Sequence, residues 1–240
     1  VVVGDKLQSL EYEENFMTHI ELNSPFINII KKEPENTNRR IKVKYMAEKI
    51  NRLVAFKNYN SPEIINELPD ELEDRGESVL EIFTQKCIYA NDTDKKKIDN
   101  EVEKILEKVK LEVDKYNYKP EDFLFLFPIM KCNILAGELE TKLNTFWLER
   151  YGSDDEFNQY AVLHKHEEGQ IIDTSKSTHA SRIMSIRASK GDGRSVVFIL
   201  NCTEQALKLL SNNKKNIVYE SYFHVALTRA EYKIYFGLTY

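Results

Sequence analysis

A run of five apolar residues, Phe123–Phe127, limits the fold of this chain more than any other feature. The run ends at Pro128, and apolar and polar side chains do not alternate within it. A strand of this kind is covered on both faces, which is typical of a parallel sheet between helices. Helical patterns lie before and after the run, so we expect an α/β fold whose mostly parallel sheet is flanked by helices.

Apolar periodicity predicts the elements around this strand. The clearest helix is expected from Asp94 to Tyr118, within a segment, 61–118, that we expect to form two or three helices. Further helices are expected at 41–56, 134–150, 220–230 and from Thr203 to about 211. Further strands are expected at 1–3, 160–163, 182–186, 196–200 and 232–238.

The length of 240 residues suits one large domain, or a domain with a small insertion. The three cysteines, Cys87, Cys132 and Cys202, have no metal-ligand spacing, so we expect no metal site and a reducing compartment. No stretch reaches the roughly 20 apolar residues that span a bilayer, and the first residues lack a signal-peptide pattern. We therefore expect an intracellular protein, cytoplasmic or nuclear and not secreted. Because the sequence lacks an initiator Met, we interpret it as the middle of a longer polypeptide.

The formal net charge of −5 argues against nucleic-acid binding, but its distribution is uneven. The segment 174–195 is basic, with five cations and one acid. Its charged residues are Lys176, Arg182, Arg187, Lys190, Asp192 and Arg194. Charge alone favours an ordinary solvated face here, so any binding role has to come from the motifs.

Two segments combine glycine with groups that bind phosphate. In Gly4–Ser9 a short strand leads into Gly-Asp, and the amide of Gln8 could sense a γ-phosphate. Taken alone, this segment is better interpreted as an ordinary strand-to-turn junction. In Ser185–Arg194 a strand end enters a polar turn that offers backbone N–H groups, hydroxyls and cations to a phosphate. A plain polar loop is an equally good interpretation of that turn.

A third segment, His224–Ala230, places Arg229 beside small residues on a predicted apolar helix. A buried guanidinium needs an anionic partner. The partner could be a carboxylate in a structural ion pair, or a nucleotide phosphate contacted by an arginine finger. Without further context the structural ion pair is slightly favoured.

The order of these segments resembles the UvrD/Rep-type superfamily 1 helicases. Gly4–Leu10 is similar to their motif III, Asn38–Arg40 to motif IV, and Ser185–Gly193 to motif V, while His224–Ala230 resembles motif VI closely. The resemblance implies the second of two RecA-like domains that clamp ATP and Mg²⁺. It implies that Arg40 and Arg229 contact the γ-phosphate, that Gln8 senses it, and that Gly191 lies on the nucleotide side.

The resemblance also implies contacts with single-stranded DNA. Motif V would touch the DNA backbone through Ser185, Arg187 and Lys190. Tyr12 and Trp147 are candidate stacking platforms for bases, although a core position is favoured for Trp147. The family usually has His where this chain has Arg187, and a ribose-binding Glu where it has Gly193. These departures, together with a short region between motifs IV and V, suggest a divergent, viral branch of the family.

By this resemblance the chain divides into four parts. We expect the end of the first RecA-like domain at 1–20, the start of the second at 21–60, a small helical insertion at 61–118, and the rest of the second domain at 119–240. Its partners would be the N-terminal RecA-like domain of the same protein, single-stranded DNA, and replication or repair proteins, with no membrane.

The expected function is that of a motor domain in an ATP-dependent DNA helicase. The sequence contains no P-loop pattern G-x-x-x-x-G-K-S/T and no Walker B pair, so this polypeptide is expected to be inactive by itself. Two alternatives stay open. One is a non-catalytic module of a replication complex that binds DNA or protein, and the other is an RNA helicase or RecD-type member of superfamily 1.

Overall fold

The computed structural model describes residues 38, 40–43, 45–53, 64–65, 79–85, 94–152, 160–165, 179–203, 205–206 and 219–239. The helices are α1 (Met46–Leu53), α2 (Lys95–Tyr116), α3 (Ile134–Tyr151) and α4 (Tyr219–Leu227). The strands are β1 (Leu80–Gln85), β2 (Phe123–Phe127), β3 (Leu163–His164), β4 (Arg182–Ser185), β5 (Arg194–Ile199) and β6 (Ala230–Thr239).

The described strands form one parallel sheet of six strands in the order β1-β6-β5-β2-β4-β3. Strand β2 lies between β5 and β4, and all five of its residues are buried, as expected for a strand covered on both faces. The predicted α/β class with a parallel sheet between helices is therefore confirmed. The arrangement is consistent with a RecA-like sheet.

Alternation along β2 divides the core into two layers. Leu124 and Leu126 pack on the face that carries α1 and α4. Phe123, Phe125 and Phe127 point the other way, toward α2 and α3. Aromatic rings continue this second layer, and Phe198 lies 4.9 Å from Phe125 between ring centroids. The two layers therefore differ in character, with one mainly aliphatic and the other rich in stacked aromatic rings.

Helix α2 begins and ends with well-formed caps. The side chain of Asp94 accepts a hydrogen bond from the backbone N–H of Lys97, and Asn117 ends the helix in the left-handed conformation. The predicted apolar stripe from Ile98 to Val113 is buried against the aromatic layer. None of the helices in the described ranges is long and apolar enough to cross a membrane.

The segment 61–118 differs from the expected set of helices. It contains β1, which pairs in parallel with β6 from Leu80 opposite Ile234 to Gln85 opposite Thr239. Helix α2 then covers the same sheet and packs against α3. The described part of this segment is therefore built into the sheet and its covering layer, and the expectation of a small helical insertion is wrong for these residues.

Candidate functional site

A two-residue turn, Thr228-Arg229, joins α4 to β6. The hydroxyl of Thr228 donates to the carbonyl of His224 at 2.7 Å, which closes the end of the helix. Strand β6 begins at Ala230, because this residue pairs with Arg194 at the start of β5. The strand therefore starts two residues earlier than predicted, and Arg229 lies in the turn and not on the helix.

The side chain of Arg229 is buried, with 2% of its surface exposed. Its Nε donates to the carbonyl of Val225 at 2.8 Å, and its Nη2 lies 3.3 Å from the hydroxyl of Thr228. Its Nη1 is 3.4 Å from the carbonyl of Ser189, in the loop that precedes β5. These neutral acceptors tie the turn after α4 to that loop, so Arg229 joins the two segments.

Arg40 reaches the same turn from the other end of the chain. The side chain of Asn38 accepts hydrogen bonds from the backbone N–H groups of Arg40 at 2.9 Å and Ile41 at 2.7 Å, which fixes the bend before α1. The Nη1 of Arg40 donates to the carbonyl of Thr228 at 2.9 Å. Among the residues that the structure describes, no carboxylate forms an ion pair with the half-buried Arg40. Its remaining N–H donors can therefore take an anion.

Gly193 leaves the space that the Arg40 side chain fills. A Cβ atom added at this position would lie 2.8 Å from Nε and 2.9 Å from Cδ of Arg40. Any larger residue would push the guanidinium away from Thr228. The close approach of Arg40 is therefore a physical reason for glycine at position 193.

The loop 186–193 connects the carboxyl end of β4 to the amino end of β5. Its first residue, Ile186, donates to the carbonyl of Phe127 at 2.9 Å and packs on the aliphatic layer. The hydroxyl of Ser185 accepts from the N–H of Ala188 at 3.1 Å. Ser185 is buried and used within the turn, whereas the side chains of Arg187 and Lys190 are exposed. The loop also needs Gly191, because its φ of +86° favours glycine.

Asp192 is held between two arginines at the end of this loop. Its carboxylate accepts a hydrogen bond from Arg182 at 2.6 Å and lies 3.8 Å from the Nε of Arg194. Burial lowers the pKa of the Arg194 guanidinium from its ordinary value, and Asp192 opposes that shift. Arg182 belongs to β4, which lies beyond β2 from β5, so this ion pair spans a strand of the sheet.

The contacts of Arg40, Arg194 and Arg229 gather at the amino edge of β5 and β6. Arg194 and Ala230 are the first residues of the two strands, and the N–H of Arg194 donates to the carbonyl of Arg229 at 2.9 Å. Parallel sheets commonly place their ligand loops beyond the carboxyl ends of the strands. The arginines collect at the opposite edge for simple reasons of position. Arg182 and Arg194 are the first residues of β4 and β5, and Arg229 directly precedes β6. Arg40 joins them through its bond to Thr228.

Trp147 is placed differently from the proposed stacking platform. It is fully buried, and its Nε1 donates to the hydroxyl of Ser181 at 3.0 Å. Its ring lies 5.7 Å from that of Phe123 between centroids. A side chain enclosed in the aromatic layer cannot stack on a base, so the DNA-binding assignment of Trp147 is wrong. The alternative core position is the one observed.

Two further predicted site residues, Gln8 and Tyr12, lie outside the described residues, as does the strand expected at 1–3. Of the others, the structure brings Arg40 and Arg229 together and puts Arg187, Lys190 and Gly191 on the adjoining loop. The roles of Asp192 and Arg182 were missed. The sequence offered one sign of them, because Asp192 is the only acid in the basic segment 174–195. No protein-family model matches this chain, and no curated protein matches it.

Proposed function

We propose that this chain is the second RecA-like domain of an ATP-dependent DNA helicase or translocase. The observation that carries the proposal is the meeting of Arg40 and Arg229 on one residue, Thr228. These arginines come from the segments that resemble motifs IV and VI, at opposite ends of the sequence. A third segment, similar to motif V, meets them through Gly193 and Ser189.

The chemistry of this donor set suits a phosphate. A guanidinium is a planar group with five N–H donors, and Arg40 uses one of them on a neutral carbonyl. Two cations close to one point stabilise negative charge that develops during phosphoryl transfer. ATP with Mg²⁺ would supply the transferable phosphoryl group, and the other RecA-like domain would hold most of the nucleotide. This chain's part is to bring donors to the phosphate when the two domains close.

Nucleic acid would run beside the loop 186–193. Arg187 and Lys190 present exposed cations there, which suits contact with the phosphates of single-stranded DNA. We assign the contacts with the DNA backbone to Arg187 and Lys190. Because Ser185 is buried and accepts a hydrogen bond from Ala188, its role is to stabilise the shape of the loop. We call Arg40, Arg182, Arg194 and Arg229 the arginine cluster. Ser189 belongs to the loop that carries Arg187 and Lys190, and its carbonyl contacts Arg229 of the cluster. DNA and nucleotide would therefore act on one connected piece of the structure.

Turnover of ATP by the parent protein tests the proposal. Replacing Arg40 with Gln removes the guanidinium charge from a half-buried position and should lower the kcat for ATP about 10³-fold, as for other arginine fingers. Binding of labelled single-stranded DNA should be largely kept. The matched control is Arg150→Gln, since Arg150 forms an exposed ion pair with Asp114 at 3.0 Å between α3 and α2, remote in the sequence from the cluster.

Two outcomes would contradict the proposal. If the wild-type protein has no turnover with DNA or RNA present, the chain is a non-catalytic binding module. If turnover is present and Arg40→Gln equals Arg150→Gln, the arginine cluster is structural. Arg229 is a poorer first choice, because its buried guanidinium ties the turn after α4 to the loop 186–193, so its loss would also disturb the fold. Comparing DNA and RNA as activators separates the DNA motor from an RNA helicase.

A further inference from the structure

Three consecutive residues, Asp192-Gly193-Arg194, contact every arginine of the cluster. Asp192 is hydrogen-bonded to Arg182 at 2.6 Å, and Arg194 donates its N–H to the carbonyl of Arg229 at 2.9 Å. Between them, Gly193 lies against the side chain of Arg40. We call these three residues the 192–194 strip. Its two ends are fixed by directional bonds, so its middle residue has little freedom to move.

We propose that the 192–194 strip positions Arg40. The Arg182–Asp192 ion pair holds Gly193 in place against the guanidinium of Arg40. This inference rests on the proposed function, because it names the residues that aim the phosphate-contacting arginine. The residues of the strip act through Arg40 and touch no phosphate themselves. They are therefore positioning residues.

The geometry explains why the position is sensitive. The guanidinium of Arg40 rests on a glycine that has no side chain to yield, and its Nη1 bonds to the carbonyl of Thr228 at 2.9 Å. If the 192–194 strip moves toward Arg40, or if Gly193 gains a methyl group, the guanidinium has to shift. A Cβ atom at position 193 would be only 2.8 Å from Nε of Arg40. The end of an arginine side chain shifts at small energetic cost, so the fold can survive while the aim is lost.

Two substitutions in the parent protein test the strip. Gly193→Ala should lower the kcat for ATP about 10²-fold, the loss expected when a catalytic group is misplaced by about 1 Å. Its melting temperature should stay close to that of the wild type. Asp192→Asn weakens the pair with Arg182 and should lower kcat about 10-fold in the same direction. DNA affinity should change little in either variant.

The chain offers a matched control for each substitution. Gly137→Ala adds a methyl group to a glycine of α3 whose new Cβ would meet no neighbouring side chain or other element within 4 Å, and should leave turnover unchanged. Asp114→Asn breaks the exposed ion pair with Arg150 and should also leave turnover unchanged. These controls separate an effect at the strip from a general effect of a methyl group or of a lost charge.

A double variant distinguishes a positioning role from a merely structural one, because only a positioning role makes the two losses of kcat non-additive. If the strip acts through Arg40, then Gly193→Ala added to Arg40→Gln should cause no further loss of kcat. The proposal is overturned if the two losses multiply, or if Gly193→Ala turns over ATP like Gly137→Ala. In both cases a strong effect of Arg40→Gln leaves the proposed function standing. A wild-type protein without turnover overturns the proposed function and the positioning role together.

Discussion

The two edges of the sheet are held together in different ways. At the amino edge, charged groups predominate, with Asp192 between Arg182 and Arg194. At the carboxyl edge, two neutral amides pair. The side-chain Nε2 of Gln85 donates to Oδ1 of Asn201 at 3.1 Å, and the backbone N–H of Asn201 donates to Oε1 of Gln85 at 3.0 Å.

Both connections span a strand. The Gln85 side chain crosses β6 at Gly237 to reach the end of β5, just as Arg182 reaches past β2. The amide pair is almost wholly buried and its bonds are reciprocal, so it favours one fixed arrangement. The charged groups are partly exposed, so the attraction between them depends on the salt concentration. The comparison indicates that buried neutral bonds hold the carboxyl edge rigidly and that salt-sensitive charges hold the amino edge.

The largest effect is expected from Gly237→Ala at the carboxyl edge. A Cβ there would lie 2.3 Å from Oε1 of Gln85 and 3.3 Å from the backbone carbonyl of Ile199. The amide would have to leave its place and lose its buried bonds, so we expect about 3 kcal/mol less free energy of unfolding. Urea denaturation measures this, with Gly137→Ala as the control that should stabilise α3 by about 0.5–1 kcal/mol. If the free energy of unfolding falls by less than the gain of about 0.5–1 kcal/mol expected for Gly137→Ala, the amide pair does not hold the carboxyl edge rigidly.

A smaller effect is expected from Arg182→Gln at the amino edge. The ion pair with Asp192 is about 15% exposed on each side, between a buried pair and a surface pair. We therefore expect a loss of about 2 kcal/mol at low salt. The difference from wild type should shrink in about 1 M salt, where the Debye length is about 3 Å. The effect of Gly237→Ala should not depend on salt, and equal salt dependence of the two would remove the contrast between the edges.

The smallest effect concerns Cys202, next to Asn201. Burial raises the pKa of this thiol from 9.0 to about 12. The folded thiol therefore stays neutral at about pH 8, and alkylation followed by peptide mass spectrometry should label the exposed Cys132 first. The contribution of this burial to stability is complete below pH 9 and is lost as the pH rises toward 12. Rapid labelling of Cys202 in the folded protein would mean that the carboxyl edge opens readily.

The fold could be predicted largely because its central elements carry strong local patterns. Phe123–Phe127 reads as a doubly covered strand, and the stripe of α2 is regular over several turns. Strand β1 was missed because it lies at the edge of the described sheet, where its apolar and polar residues alternate only weakly. Its partner β6 is also far away in sequence, so no local signal marks the pairing.

The site could be predicted as a set of segments but not as an arrangement. The motifs pointed to Arg40, Arg229 and the loop before β5, which do meet. The burial of Arg229 depends on carbonyls that come from two different segments, and sequence spacing does not specify such partners. The space at Gly193 likewise depends on a side chain more than a hundred residues away in sequence. Tertiary contacts of this kind can be found only once the sheet has been assembled.

The position of β6 has a consequence for the order in which the chain matures. This strand lies between β1 and β5, and it is the partner of β1 in the described sheet. During synthesis β1 leaves the ribosome long before β6, and closing so large a loop is slow. The backbone groups of β1 that will pair with β6 stay unpaired until nearly all of these residues have emerged, and during that time they can pair with other strands. A chaperone that shields β1 during that interval should raise the yield of folded protein.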